Sequence, residues 1–395
     1  MRKKTRRPTA AFLGVVLFAF ALYCVMVKVQ ALCLDGNSIL PDYNALEHAA
    51  ASGDIMHRIM WALGDMTEPH FYKSWLASLG FLAGAILAHS LWKRKSRRIG
   101  FPLCGGTGLW PWVFLASLLS LVLSNLLFVK NLDNGWFPTF VPFVCVAGAT
   151  VLQYGIGWKT LLTGVVMGCV TTVPVSALVV TYITGPCKLP TVIGSVTGMW
   201  AGGIVCFEIY RLLPWMKPSE QRQTKAFPVN VFHRAASPNR FFLRRLLADF
   251  GEPLFCGNEY VGAFLLLCVM IAWVMDPLHV TYNTGVFPAV LFSQLVSVAL
   301  SLYLYFDQWL VNDWFPTFPT LVSTAPGVTM LWGGDLRVAV IAAVFGGIVC
   351  PPLAWQMEQR MPDHWPGFIA ATGSMTVSTV LCGGLILFLR PALGL

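Results

Sequence analysis

The chain has 395 residues, of which 56% are hydrophobic and only 11% are charged, and its mean hydropathy is +0.66. Soluble globular proteins carry about 25% charged residues, so this composition excludes a soluble protein and predicts an all-α polytopic membrane protein. The net charge of +9 does not require a nucleic-acid partner, because the basic residues follow a topological pattern that is described below.

The first segment of the chain combines positive charge with a long apolar run. Residues 1–9 contain five Lys or Arg residues, and an apolar run over about 10–32 follows them. About 20 apolar residues suffice to cross a bilayer, and the run lacks the small-residue cleavage site of a signal peptide. We therefore predict an extra N-terminal transmembrane helix within residues 1–32 and, from its polar and acidic sequence, an external loop over residues 33–72.

Ten more apolar segments follow, so the sequence predicts about eleven transmembrane helices. The predicted helices cover about 10–32, 73–92, 108–130, 137–155, 158–183, 190–212, 259–276, 286–305, 316–333, 336–357 and 366–389. The sixth and seventh are joined by a basic linker over residues 213–258, which we predict to be cytoplasmic. Within it, residues 240–250 have the amphipathic pattern of a helix on the inner leaflet, and a solvated linker helix is the alternative.

An internal repeat organises these segments. The pentapeptide WFPTF occurs at 136–140 and again at 314–318, 178 residues later. The same register pairs Gly155 with Gly333, Lys159 with Arg337, Gly168 with Gly346 and Pro174 with Pro352. Matched Gly, Pro and basic residues predict a duplication, with repeat 1 over residues 73–212 and repeat 2 over residues 259–395, each of five helices.

The distribution of basic residues predicts how the repeats are oriented. If the N-terminus is cytoplasmic and the helices alternate, 20 of the 27 Lys and Arg residues fall on the cytoplasmic side, as the positive-inside rule requires. Five crossings per repeat place the second repeat upside down relative to the first, with the C-terminus external. We therefore predict a 1 + (5+5) inverted-topology arrangement in a plasma membrane, such as the bacterial inner membrane.

Inverted repeats are typical of secondary transporters, because two opposed halves can exchange conformations around a central site. Over residues 73–390 the arrangement resembles that of five-plus-five inverted-repeat transporters, although their family motifs are missing. The resemblance implies a transporter or permease but says nothing about its substrate; we predict a small polar or anionic solute. The alternatives are a non-transporting scaffold or assembly factor and a membrane-embedded enzyme. We predict membrane lipid, a small solute and a second copy of the chain as partners, and no catalytic residue, metal, cofactor or nucleic acid.

The candidate solute-binding residues are polar or proline residues at helix starts, kinks and close helix contacts. They are Asn134, Pro138, Thr139, Thr171, Thr172, Ser195, Thr197, Asn312, Pro316, Thr317, Ser374 and Thr376. Interfacial anchoring and close helix packing are the competing interpretations.

Two further sets of residues have predicted roles in the transport cycle. Pro174 and Pro352 are candidate hinges, because a proline inside a helix frees a carbonyl and bends the helix. Lys159, Arg337 and Glu208 are candidates for solute attraction or coupling. The alternatives for these three are helix-end anchoring and ion pairing.

Overall fold

Apolar stretches of the sequence form the helices of this protein. The computed structural model describes residues 7–33, 40–128, 130–131, 136–218 and 237–395, and every regular element in them is helical. In chain order the α-helices are α1 (Thr9–Cys33), α2 (Tyr43–Ser52), α3 (Ile55–Asp65), α4 (Trp75–Lys93), α5 (Trp110–Phe128), α6 (Val146–Tyr154), α7 (Trp158–Val179), α8 (Val192–Tyr210), α9 (Pro238–Gly251), α10 (Glu259–Met275), α11 (Phe287–Leu304), α12 (Phe306–Asn312), α13 (Thr324–Leu331), α14 (Leu336–Glu358) and α15 (Phe368–Leu393).

Eight of the helices in the described part of the chain are long and apolar enough to cross a membrane. They are α1, α4, α5, α7 with its π-helical extension, α8, α11, α14 and α15. The pair α9 and α10 passes the same test together but is bent by 82° at its break. The structure therefore supports a helical membrane protein with eight or up to nine candidate spans, where the sequence predicts about eleven.

The prediction of continuous helices over 137–155 and 316–333 is wrong. Each segment starts with non-helical residues, makes one 3-10 turn, and only then forms a short helix, α6 or α13. The break lies at Cys145 (φ −135°, ψ −99°) in the first segment and at the matched Ser323 (φ −145°, ψ −88°) in the second. The physical reason is a pair of prolines in each segment, at positions 138 and 142 and at 316 and 319, because proline lacks the N–H that a helix needs.

The first broken segment nevertheless runs along the neighbouring long helix. Helices α5 and α7 are parallel, because Trp112 packs edge-on against Trp158 near their starts and Cys169 Sγ donates to Ser120 O further along both helices. The segment between them must therefore return from the end of α5 to its beginning. It adds one traverse, although α6 with nine residues is too short to cross a bilayer by itself.

The long helices fall into two groups along the chain. We refer to residues 55–210 as the first half and to residues 238–393 as the second half. Helix α1 belongs to neither half and packs on α11, where the rings of Phe12 and Tyr303 are stacked with centroids 4.5 Å apart.

Helices α4 and α10, which the predicted repeat pairs, run antiparallel where they touch. A Cβ added to Gly80 on α4 would lie 2.4 Å from the carbonyl oxygen of Phe264 on α10, and one added to Gly84 would lie 2.8 Å from the carbonyl oxygen of Tyr260. As the position on α4 advances, the contacted position on α10 recedes. The missing side chains of these glycines allow the two helix backbones to approach closely.

Helices α8 and α15 cross in the same antiparallel way. The hydroxyls of Thr197 and Thr376 are 3.3 Å apart, and these residues occupy the same position of the shared G-S-x-T sequence. Further along α8, Gly203 faces the ring of Phe368 at the beginning of α15. Two pairs of equivalent helices thus cross at matched residues and in opposite directions.

The close crossing of α4 and α10 gives a test of this packing. Gly80→Ala places a methyl group against backbone and should lower the free energy of unfolding by about 1–3 kcal/mol. The matched control is Gly384→Ala on α15, where an added Cβ meets nothing within 4 Å and stability should be unchanged or slightly higher. Thermal unfolding of the purified variants in detergent measures both effects. Equal midpoints for the two variants would contradict the packing.

Candidate functional site

A second repeated motif, D-x-x-E-P-x-F, lies at the beginning of each half. It covers Asp65–Phe71 and Asp249–Phe255, 184 residues apart. In both copies the Asp belongs to the last turn of a helix, α3 or α9, and the Glu opens a 3-10 turn. The Phe then has a left-handed backbone, with φ 66° in the first copy and 60° in the second. The same sequence therefore gives the same local fold twice.

In the first half, two carboxylates of this region share one ammonium group. Lys73 pairs with Asp65, and its Nζ lies 2.7 Å from Glu68 Oε2; all three side chains are at most 1% exposed. The ammonium group also lies 3.8 Å from the centre of the Trp61 ring, and Trp136 Nε1 donates to Glu68 Oε1. Such a set of partners is what buried charges require. We call Asp65, Glu68 and Lys73 the lysine cluster.

In the second half, two carboxylates share one guanidinium group. Arg245 lies 2.5 Å from Asp249 and 2.6 Å from Glu252, and the side chains of Arg245 and Asp249 are 4% and 0% exposed. The guanidinium carbon is 4.6 Å from the centre of the Trp309 ring. We call Arg245, Asp249 and Glu252 the arginine cluster. The amphipathic pattern of α9 predicted a helix on the lipid surface or in solvent. The side of α9 that carries Arg245 and Asp249 is instead buried in the protein.

The two repeated motifs are joined by one hydrogen bond in each half. Thr139 Oγ1, from the first WFPTF, donates to Asp65 Oδ2 at 2.8 Å. Thr317 Oγ1, from the second, donates to Asp249 Oδ2 at 2.7 Å. Both threonines are fully buried. The threonines of the WFPTF motif therefore hold the aspartates of the D-x-x-E-P-x-F motif in place.

Between the halves lies a cavity of about 790 Å³. Many of its lining residues form pairs from equivalent positions of the two halves. Such pairs include Glu68 with Glu252, Phe71 with Phe255, Trp136 with Trp314, Phe140 with Phe318, and Leu152 with Met330. Cavities of roughly 300–1,000 Å³ commonly bind small molecules, so this cavity is the candidate functional site, which we call the central cavity.

The two ends of the central cavity differ. At the end where α4 finishes, a second pocket of about 310 Å³ shares Gly105, Leu152 and Phe368 with it. At the other end the lining includes Tyr43 of α2 and Tyr282, whose rings meet edge to face with centroids 5.6 Å apart. Helix α2 therefore covers one end, while the other continues into a further pocket.

Each half also supplies a backbone turn to the other. The Cys104 N–H donates to the Phe255 carbonyl at 3.0 Å, and the Thr281 N–H donates to the Tyr72 carbonyl at 3.1 Å. Both donors have a left-handed backbone, with φ 49° at Cys104 and φ 56° at Thr281. Each half thus contributes a turn that donates a backbone hydrogen bond to the other half beside the cavity.

Glu68 has a strongly perturbed proton affinity. Burial raises the pKa of Glu68 to about 8; the neighbouring Asp65 adds to this rise, and Lys73 opposes it. For Lys73, burial lowers the pKa, but the two carboxylates outweigh it and the pKa is raised overall. Burial therefore favours the protonated form of Glu68, while the two carboxylates favour the charged form of Lys73.

Few of the sequence-predicted binding residues face the central cavity. Asn312 and Ser195 line it, while Thr139 and Thr317 lie just behind the lining and hold the aspartates. Asn134 lies outside the described residues.

The other predicted binding residues lie within the walls. Pro138 and Pro316 are buried in the non-helical starts of the broken segments. The hydroxyls of Thr171, Thr172 and Ser374 donate to carbonyls of their own helices, and Thr197 and Thr376 form the α8–α15 crossing described above. These contacts are those of helix packing.

The predicted hinge and coupling residues are also away from the cavity lining. Pro174 and Pro352 lie inside α7 and α14. Lys159 is exposed at the start of α7, and Arg337 pairs with Asp335 at 2.6 Å. Glu208 accepts hydrogen bonds from Arg211, His364 and Trp365, so it ties α8 to the turn before α15.

Sequence reasoning missed the charged clusters because the two motifs have different spacings. The WFPTF copies are 178 residues apart and the D-x-x-E-P-x-F copies are 184 apart, so a comparison without gaps never aligns the second motif. Its residues also fall in polar stretches, which predicted a loop and a linker. The recurrent Glu-Pro-x-Phe after an Asp was the signal that could have found them.

The described residues contain no group of three or more His, Cys, Asp or Glu side chains that could hold a metal ion. Compared with known proteins, the sequence matches no protein-family model, and no curated protein matches it either.

The threonine–aspartate bonds give a second test. Thr139→Val and Thr317→Val each remove a donor from a buried carboxylate and should each lower the free energy of unfolding by about 2 kcal/mol. Thr329→Val is the matched control, because its buried hydroxyl donates to Ala325 O within the same helix and its loss should cost clearly less. Thermal unfolding in detergent compares the three, and a control as damaging as the other two would contradict the assigned roles.

The proton on Glu68 gives a third test. Because the folded-state pKa of about 8 exceeds the ordinary value of 4.5, the stability contributed by protonated Glu68 is present below the ordinary value and is lost as the pH rises through 8. Wild type should therefore lose stability relative to Glu68→Gln between about pH 5 and about pH 9. Parallel melting curves of the two proteins over that range would contradict the raised pKa.

Proposed function

We propose that the protein is a secondary transporter or permease that moves a small polar solute by alternating access between two inverted repeats. The observation that supports this most directly is the pairing of equivalent residues around the central cavity. A solute there would meet similar side chains from both halves, which is the arrangement that alternating access uses.

The helix directions support the inverted arrangement. Equivalent helices related by an axis in the membrane plane must run antiparallel, as α4 and α10 do, and as α8 and α15 do. Repeats related by an axis along the membrane normal would place equivalent helices parallel. The broken segments before α6 and α13 add the fifth traverse of each half, so each half has an odd number of crossings in this proposal.

The difference between the two ends of the cavity supports alternating access to the cavity from the two sides of the membrane. Among the described residues, the end near Gly105 continues into a second pocket, while Tyr43 and Tyr282 meet at the other end. If the halves exchange conformations, the pocket closes at the first end and an equivalent one opens beside Met330. The structure in hand would then be one of two related states.

The charged residues that line the central cavity also restrict the class of solute that we propose. The sequence left a polar or an anionic solute open, on the basis of Lys159 and Arg337. Neither residue lines the central cavity, whereas Glu68 and Glu252 do. We therefore favour a polar solute that is not an anion. In this proposal the protein is a multi-pass protein of the plasma membrane with a cytoplasmic N-terminus.

A labelling experiment tests alternation without knowledge of the solute. Leu152→Cys and Met330→Cys, at equivalent positions of the cavity, are made singly in a cysteine-free chain in oriented vesicles. We expect a membrane-impermeant maleimide to label position 152 from one side only and position 330 from the opposite side only, because each lies on the path to a different end.

A cross-link supplies the control. Tyr43→Cys and Tyr282→Cys, joined by a short bifunctional reagent, should fix the covered end. Labelling at position 330 should then disappear while labelling at position 152 persists or rises. Labelling of both positions from the same side, or labelling that the cross-link leaves unchanged at both, would overturn the proposal.

A further inference from the structure

The described lining of the central cavity is predominantly acidic among its charged residues. Its carboxylates are those of Glu47, Glu68, Glu252, Asp313 and Glu358, and Arg245 is the one basic residue among the described lining residues. That guanidinium is already paired with Asp249 and Glu252. Little positive charge is therefore left for an anion, and the carboxylates favour a cation.

Both charged clusters contain more carboxylates than basic groups. The lysine cluster and the arginine cluster each hold two carboxylates and one base, and in each the glutamate is the acid that reaches the cavity. The glutamate side chain of the arginine cluster is 21% exposed. In a poorly solvated site an excess carboxylate is stabilised by a proton or by a cation from outside.

Aromatic rings form much of the remaining wall. Trp136, Trp314, Phe71 and Phe255 line the cavity as matched pairs. Ring faces attract cations, and tryptophan does so most strongly. The protein's own cations already use such faces, as the guanidinium over Trp309 shows.

The size of the cavity excludes a bare inorganic ion as the best fit. A volume of about 790 Å³ is in the range that holds drug-sized organic molecules. Phe, Trp and Met side chains would surround the apolar part of such a molecule, while the two glutamates would face its charge.

We propose that the central cavity binds a monovalent organic cation with an aromatic or aliphatic body, held between Glu68 and Glu252. This inference rests on the proposed transport function for its role, but the binding site itself can be tested separately. The rings of the matched tryptophans and phenylalanines pack on the apolar body, and the carboxylates compensate the charge.

Binding has a consequence for protons. The titratable groups around Glu68 are Asp65, Lys73, Tyr43, Glu47 and Tyr282. Since burial raises the pKa of Glu68 to about 8, a cation placed beside Glu68 should lower that pKa and release protons from the molecules in which Glu68 is protonated. Binding should therefore strengthen as the pH rises toward and above 8.

The test uses two probes of nearly equal size and shape and opposite charge. Equilibrium dialysis of the full chain in detergent measures the binding of tetraphenylphosphonium and of tetraphenylborate at several pH values. We expect the phosphonium to bind saturably and more tightly at higher pH, and the borate to bind at least about tenfold more weakly because carboxylates repel it. Failure of the phosphonium to bind, or equal binding of the two probes, would overturn the inference.

Variants of single carboxylates test whether the negative charge that binds the phosphonium lies in the cavity. Glu252→Gln should weaken phosphonium binding about tenfold, and Glu68→Gln should remove the rise in affinity with pH. Asp307→Asn is the matched control, because this carboxylate is 55% exposed and pairs with Arg7 away from the cavity. Glu358→Gln, on a different wall of the cavity, is a second charge variant in case Glu252→Gln does not fold. Affinities that are the same in all folded variants would overturn the inference.

The two experiments can fail separately. If labelling at positions 152 and 330 alternates but the phosphonium does not bind, the transport proposal stands and the organic cation is excluded. If the phosphonium binds with the expected dependence on Glu252 while the labelling does not alternate, the cation site stands and transport fails.

Discussion

Buried carboxylates with a limited set of donors are the constraint on which this structure depends. A charge removed from water is tolerated only when hydrogen bonds and an opposite charge surround it. Asp65 and Asp249 therefore each require a base and a threonine hydroxyl. The threonines that bond the aspartates lie in the non-helical residues before the 3-10 turns that precede α6 and α13. The proline pairs that break these segments thus belong to the same structural unit as the charged clusters.

The opposed halves turn this local arrangement into a site. Because α4 and α10 cross antiparallel at Gly80, the two D-x-x-E-P-x-F turns face a common space, and each half closes it with a turn donated to the other. The resulting cavity combines matched aromatic walls with two glutamates that each belong to a cluster with more acid than base. The proposed transport of an organic cation brings these features together: the rings and carboxylates bind, and the similarity of the halves allows two states.

The sequence predicts the helices well where length and hydropathy decide, as for α5 and α8, because burial of apolar residues in lipid needs no partner information. It fails where a few residues override composition. The helix predicted over 137–155 breaks at Cys145 because of the prolines before it. The hydrogen bond from Thr139 to Asp65 stabilises the non-helical start of the segment. The charged clusters were not predicted, since a buried Asp-Lys-Glu set has the same residue types as a solvated loop. Only the fold, which brings Lys73 and Trp136 to Glu68, distinguishes the two.

The arrangement of the halves is tested most directly by the side of the membrane on which two equivalent loops lie. Arg97 follows α4 and Thr284 follows α10, and both are exposed. Each residue is replaced singly by Cys in a cysteine-free chain. The variants are placed in oriented vesicles, and the intact vesicles are treated with a membrane-impermeant maleimide. We expect positions 97 and 284 to react from opposite sides. Reaction of both from the same side would contradict the inverted arrangement and the mechanism built on it.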